Sequence, residues 1–380
     1  MGVSLNQRNV LSLALLGILF VFLNCCSLQH TEISFIPASV SAQGKSFWTT
    51  GTSMPTPRSE IGACVLDGRI YVIGGQDFRT NKVNVVEVYD PKTDKWIGAS
   101  SLPEAVDHFG VASYDEKIYV VGGSSQDKHT TNKLFIYDSI KNKWNEGKPM
   151  PTSRTMLSAD FINGILYAVG GVDSSYKVVP TNEAYDPKTD TWTEKAPMLT
   201  PRHHTTSEVV GGKLYVIGGR LKGDGVESTL REALLSFNNN EYYDPQQNNW
   251  TALKPMPTNR SSMSSAQVDS NIYVFGGQSR VKTPIDEYVF GGQSKVKSSN
   301  IPRGLEMLFA GQPANGTFAT NEKYDTKTDT WLTEPSMPTA RLGSDSVALD
   351  DRIYVIGGKP SLGRTVTNVV EIYHVDNLTD

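Results

Sequence analysis

The side chains best placed for acid–base or metal chemistry are Asp160, Glu208 and Asp345, together with His108, His203 and His204. The three carboxylates interrupt stretches that are otherwise apolar or small. Burial there would raise a carboxyl pKa and make the group a usable general acid or base. Carboxylates in such positions also accept hydrogen bonds from neighbouring strand ends, and both readings stay open. The histidines do not form a metal set by spacing alone. Adjacent residues of a strand point to opposite faces, so His203 and His204 are not expected to share an ion, and no metal ligands are assigned. No GxSxG, phosphate-binding GxxxxGK[ST] or zinc-type CxxC pattern occurs, and no cofactor is implied. Cys64 is the only cysteine outside the N-terminal stretch that holds Cys25 and Cys26, and it reads as a small buried hydrophobe.

The elements that must position these groups repeat. Arg69 to Gly75 reads Arg-Ile-Tyr-Val-Ile-Gly-Gly, an apolar alternation around one tyrosine that runs into a glycine pair. Related stretches end in glycine pairs beginning at 122, 170, 218, 276 and 357, so the intervals from 74 are 48, 48, 48, 58 and 81. Three equal steps set the period, and the last two contain insertions. Trp96, Trp144, Trp192, Trp250 and Trp331 each follow a tyrosine by seven residues. Each unit therefore reads as four strands: an apolar strand, the Tyr/Gly-Gly strand, a strand ending in Tyr-Asp, and a Trp strand after a turn such as Asp-Pro-Lys-Thr-Asp.

Repeats of about 50 residues with four strands and a terminal glycine pair resemble the kelch family, over Phe47 to Val375. The resemblance implies an all-β fold, a six-bladed kelch β-propeller with four antiparallel strands per blade. A four-stranded sheet buries neither face alone, so blades stack around an axis with Tyr and Trp between them. The last unit has a third strand, Asn368 to Tyr373, but no Trp strand follows, while Trp48 precedes the first complete unit. An N-terminal strand from Phe47 to Thr50 is therefore expected to close the ring.

Sixteen residues before each glycine pair stand Arg58, Val106, Arg154, Arg202, Arg260 and Arg341. Two residues before each third-strand tyrosine stand Glu87, Phe135, Glu183, Glu241, Glu322 and Glu371. The unit that lacks the arginine also lacks the glutamate. This pattern predicts a structural ion pair within each blade rather than an anion site, exchanged in blade two for Val106 against Phe135.

Function is expected where the repeat diverges. Two residues past the arginine series stand Glu60, His108, Met156, His204, Ser262 and Gly343; just after the glycine pairs stand Gln76, Ser124, Val172, Arg220, Gln278 and Lys359. By resemblance to kelch proteins that bind peptides or sugars at the channel mouth, these rings should line a polar pocket, with Glu60, His108, His204, Gln76, Arg220, Gln278 and Lys359 as its ligand-binding residues. Both insertions, residues 220–239 and 278–320, leave the same face. The first contains a Leu230, Leu234, Leu235 spacing that suggests a short helix. The second carries at Tyr288 a second copy of the seven residues beginning at Tyr273, and the spacing from Arg260 assigns the first copy to the blade.

With 38% hydrophobic residues, 20% charged and a formal charge of −4, the chain carries no electrostatic footprint for nucleic acid. Residues 10–23 are apolar apart from Ser12 and Gly17 and follow Arg8, so residues 1–42 read as an export signal or N-terminal membrane anchor ahead of a propeller at 43–380. These features lead to an extracellular or cell-surface monomer, a binding protein taking a glycan or a protein ligand on its inserted face. The alternative is a carbohydrate-active enzyme similar to kelch-type N-acetylneuraminate epimerases, with Glu60, Glu208 and His204 as its first catalytic candidates. The copper chemistry of the related galactose oxidase propeller needs a Cys–Tyr crosslink and two histidines, and Cys64 has no such constellation around it.

Overall fold

The computed structural model describes residues 46–221, 238–280, 315–361 and 363–375, and these are β throughout, with no helix among them. The N-terminal segment, the Leu230–Leu235 spacing and the second copy at Tyr288 lie outside the described residues. Among those described, no helix is long and apolar enough to cross a membrane.

Six four-stranded antiparallel sheets form the blades. Their innermost strands are Gly62–Leu66, Gly110–Tyr114, Ser158–Ile162, Thr206–Val210, Ser264–Val268 and Asp345–Leu349, and each touches the next around a closed ring. The sixth sheet takes its outer strand, Phe47–Gly51, from the N-terminus, which pairs with Val370–His374 in the register Trp48↔Tyr373. That register matches Tyr89↔Trp96 in blade one, so Trp48 is the missing tryptophan of blade six. The expected closure is what the chain adopts.

The core is divided among the gaps between blades. Between blades one and two, for instance, Cys64, Tyr71, Ile73 and Val88 of one sheet pack on Val106, Phe109, Val120 and Phe135 of the other. Alternation explains this: each strand presents side chains to both faces, and both faces meet a neighbour. The strand ends are tied by hydrogen bonds that recur from blade to blade. The second glycine of each pair donates its N–H to the carbonyl of the next blade's arginine-series residue, as in Gly123 to Arg154 at 2.9 Å. A Cβ at Gly122 would stand 2.5 Å from that same carbonyl, which is why the sequence keeps glycine there. On the outside, each tryptophan Nε1 donates to a carbonyl of the preceding blade: Trp96 to Thr52, Trp144 to Ser100, Trp192 to Lys148, Trp250 to Ala196, Trp331 to Lys254 and Trp48 to Pro335.

The arginine series is scaffold. Arg58, Arg154, Arg202, Arg260 and Arg341 are fully buried and pair within their own blades with Glu87, Glu183, Glu241, Glu322 and Glu371; three of the separations are 3.0 Å for Arg58, 2.8 Å for Arg154 and 2.6 Å for Arg260. Each guanidinium also donates to strand carbonyls, as Arg154 does to Gly170 and Ala168. In blade two the same space holds buried Val106 and Phe135. A third series belongs with these two: Met54, Leu102, Met150, Met198, Met256 and Met337 stand four residues before the arginine positions, all buried. The sulfurs of Met54, Met150 and Met256 lie within 3.5 Å of the guanidinium. Blade two, lacking the arginine, has leucine.

Candidate functional site

The innermost strands enclose a channel of about 420 Å³ whose wall includes Glu60, His108, Met156, His204, Ser262 and Gly343 at one end. These six residues are joined by their own backbones. The N–H of each donates to the carbonyl of its counterpart in the preceding blade: Glu60 to Gly343, His108 to Glu60, Met156 to His108, His204 to Met156, Ser262 to His204 and Gly343 to Ser262, over 2.7–3.4 Å. Every one has a left-handed backbone, with φ between 52° and 59°. That conformation is uncommon for residues other than glycine, and five of the six are not glycine. The belt turns each N–H and C=O along the circumference and leaves the side chain to the lumen. Backbone geometry is thus fixed while side-chain identity is free to vary.

The side chains at this rim form one charged chain that no other blade reproduces among the described residues. Asp107, fully buried, pairs with the Lys82 ammonium from the preceding blade and places Oδ1 3.0 Å from His108 Nδ1. On its other side His108 Nε2 lies 3.3 Å from Glu60 Oε2, and Glu60 Oε1 is 3.6 Å from Lys359 Nζ. Burial opposes charging of His108, but the carboxylates of Asp107 and Glu60 outweigh it and raise the imidazole pKa above its ordinary value.

The expectation that His203 and His204 face apart is overturned. Their Nδ1 atoms are 2.6 Å from one another. The reason is backbone conformation: His204, with φ 54°, sits on the rim turn ahead of the strand Thr206–Val210, so strand alternation does not apply. The His204 ring in turn meets His108 edge-on, with centroids 5.1 Å apart.

Deeper in the channel stand the three carboxylates. Asp160 accepts a hydrogen bond from the Ser207 hydroxyl, Glu208 from Ser265 at 2.8 Å, and Asp345 from the backbone N–H of Ala63 at 2.6 Å, each donor belonging to the next blade. Burial pushes Asp160 and Asp345 up to about 7; the Ser207 bond holds Asp160 back, and the bonds from Ala63 and Ser346 do the same for Asp345. Burial and the neighbouring Asp160 likewise raise Glu208. They act as ties between blades as well as lining the lumen. Burial also raises the Cys64 thiol, which leaves it protonated and unreactive.

The two divergent rings do not share one wall. Glu60, His108, His204 and Glu208 line the channel, whereas Gln76, Arg220, Gln278 and Lys359 stand behind the rim. Each of these four makes an antiparallel bridge with the residue just before a rim position: Gln76 with Ser59, Arg220 with His203, Gln278 with Ser261 and Lys359 with Leu342. A strand's width therefore separates them from the lumen. They support the rim through contacts such as Gln278 Nε2 to Ser262 Oγ at 3.3 Å and Lys359 to Glu60. Asp107 and Lys82 were not singled out by sequence, although a carboxylate next to the one missing arginine was a usable signal. The second insertion is rooted by a short ladder, Gln278–Arg280 against Asn315–Thr317, at this same face.

Comparison with known proteins agrees with this architecture. The family model described as the KLHDC2/KLHL20/DRC7 Kelch-repeats domain matches residues 39–219 and 100–277. Kelch-like protein 26 of Danio rerio is 44% identical over 50 residues, 13% of this chain and 8% of that protein. Kelch-like protein terF of Aspergillus terreus is 28% identical over 123 residues, 32% of this chain and 20% of the relative. The matched stretches thus span a fifth or less of either relative's length. The solved structure titled "Structure of YjhT" superposes with a TM-score of 0.67 over 87% of this chain and 98% of that one, at 16% identity, which carries the fold alone.

Proposed function

Because the chain belongs to the kelch-repeat β-propeller family, we propose that it is a binding protein whose partner docks at the channel rim formed by Glu60, His108 and His204. The observation that carries this reading is the closed backbone belt. It makes the rim a layer where side chains change from blade to blade without disturbing the backbone hydrogen bonds that hold the blades together. The partner is a protein segment, recognised by the charged chain from Lys82 to Lys359, on the face where Arg220 and the ladder Gln278–Arg280 against Asn315–Thr317 stand. Residues 10–23 support an exported or membrane-anchored protein acting at the cell surface.

A second reading has its own support. Asp107 and Glu60 flank His108 as an orienting carboxylate and a reacting partner would, an arrangement suited to moving a proton on a sugar. One experiment separates the two. The full-length protein is screened against a displayed peptide library and a panel of free and oligomeric sugars, beside the Glu60→Gln and His108→Ala variants. A peptide that binds the wild type and loses affinity in both variants supports the first reading. Turnover of a free sugar, abolished by His108→Ala, supports the second, and ligands indifferent to both substitutions overturn the rim as the site.

A further inference from the structure

Glu60, His108 and His204 bring one carboxylate oxygen and two imidazole nitrogens to within 4.8 Å of one another. We propose that these three residues hold a single first-row divalent cation of the zinc class at the channel rim. Two nitrogens and one carboxylate oxygen are a donor set suited to Zn²⁺, Fe²⁺, Co²⁺ or Ni²⁺ rather than to the oxygen-seeking Mg²⁺ and Ca²⁺. With metal–ligand bonds of about 2.0–2.2 Å, adjacent donors stand roughly 3 Å apart. The 3.3 Å between His108 Nε2 and Glu60 Oε2 already meets this, and His204 has only a short distance to close.

Three further observations fit a built site. The ligands come from blades one, two and four, and each is anchored by the backbone belt at nearly one φ, 52°, 53° and 54°. Behind His108, the buried Asp107 carboxylate faces Nδ1, which directs Nε2 at the cation, and Lys82 occupies the other carboxylate oxygen so that Asp107 serves as the outer partner. His203 takes the same place behind His204. Lys359 approaches only the Glu60 oxygen that is not facing His108, from the partly exposed side. Three protein ligands leave coordination positions open toward the lumen, where a carbonyl or carboxylate of a docked ligand would bind. The proposal does not depend on which partner docks.

The test uses the full-length protein stripped with a chelator and titrated with Zn²⁺ by calorimetry and with Co²⁺ by visible absorption. One Zn²⁺ per chain is expected, with Co²⁺ giving ligand-field bands that Zn²⁺ displaces. His108→Ala and His204→Ala should each weaken binding by more than the roughly 10–100-fold loss expected from removing an outer partner with Asp107→Asn. Glu60→Gln, a conservative change at the partly exposed rim, should weaken binding while the thermal transition persists. His374→Ala, on the outer strands of blade six where its ring stacks on Phe47, should bind as the wild type does. No saturable binding, or an affinity unchanged by His108→Ala and His204→Ala, overturns the proposal.

Discussion

Blade three keeps its buried charge in the scaffold, with Arg154 2.8 Å from Glu183 and the Met150 sulfur 3.0 Å from the guanidinium. Blade two fills the same three positions with Val106, Phe135 and Leu102, and carries its buried carboxylate one residue later, at Asp107. The two sheets otherwise share strand lengths and register. A blade therefore forms with or without the ion pair, and the charge that blade two carries faces the rim instead of its own sheet.

The harshest way to break this comparison is to give blade three half of blade two's solution. Arg154→Ala leaves the Glu183 carboxylate buried and uncompensated, and should cost about 3–5 kcal/mol in urea denaturation. A cost below about 1 kcal/mol would mean that the pair is not what stabilises the sheet. In blade two, Asp107→Asn removes the carboxylate charge that faces His108 and the Lys82 ammonium of blade one, and should cost roughly 1.5–3 kcal/mol by the same measurement.

The channel walls of the two blades differ as well, Ala112 standing where blade three has Asp160. Burial raises Asp160 from 3.8 to about 7, so its neutral form is favoured in the folded state. Its contribution to stability is then complete below about pH 4 and is lost as the pH rises through 7. Asp160→Asn keeps the group neutral throughout. Relative to that variant, the wild type should lose on the order of 1–2 kcal/mol between pH 4 and 8, after allowing for screening by channel water. A constant difference across that range would contradict the assignment. Gentlest of all should be the complete exchange, Met150→Leu with Arg154→Val and Glu183→Phe, which gives blade three the whole of blade two's set. It is expected to stay within about 1 kcal/mol of the wild type, because an ion pair replaced by well-packed apolar side chains is often neutral. A loss as large as that of Arg154→Ala would show that blade two is adapted to its exchange by something beyond these three residues.

The scaffold was legible in sequence because its duties are tied to residue type. Only tryptophan supplies both a ring for the tyrosine and an outward N–H, only glycine tolerates the carbonyl that faces Gly122, and the paired loss of arginine and glutamate in blade two marks the ion pair. The Met54 series was equally regular, yet methionine reads as generic core until its sulfur is seen against a guanidinium. The rim was legible as a set of positions but not as a mechanism. Its belt is made by backbone atoms, which leave no signature when Glu60, His108, Met156, His204 and Ser262 all adopt a conformation that usually announces itself as glycine. The same blindness caused the misreading of His203 and His204, since strand alternation was applied one turn too early. Nothing in sequence distance links Lys82 to Asp107, because their contact crosses from one blade to the next.

Closure by Phe47–Gly51 sets a schedule for the newborn chain. Its partner strand begins at Val370, so at a synthesis rate of roughly 5–20 residues per second that first strand waits about 20–60 seconds for a mate. Five blades can be assembled in that interval, each from neighbouring sequence, while blade six stays open at its rim and along its outer edge. The open edge is a template for pairing with another chain. The last strand of the propeller to leave the ribosome is thus the one that ends this wait, and any pause in translation between residues 51 and 370 would lengthen it.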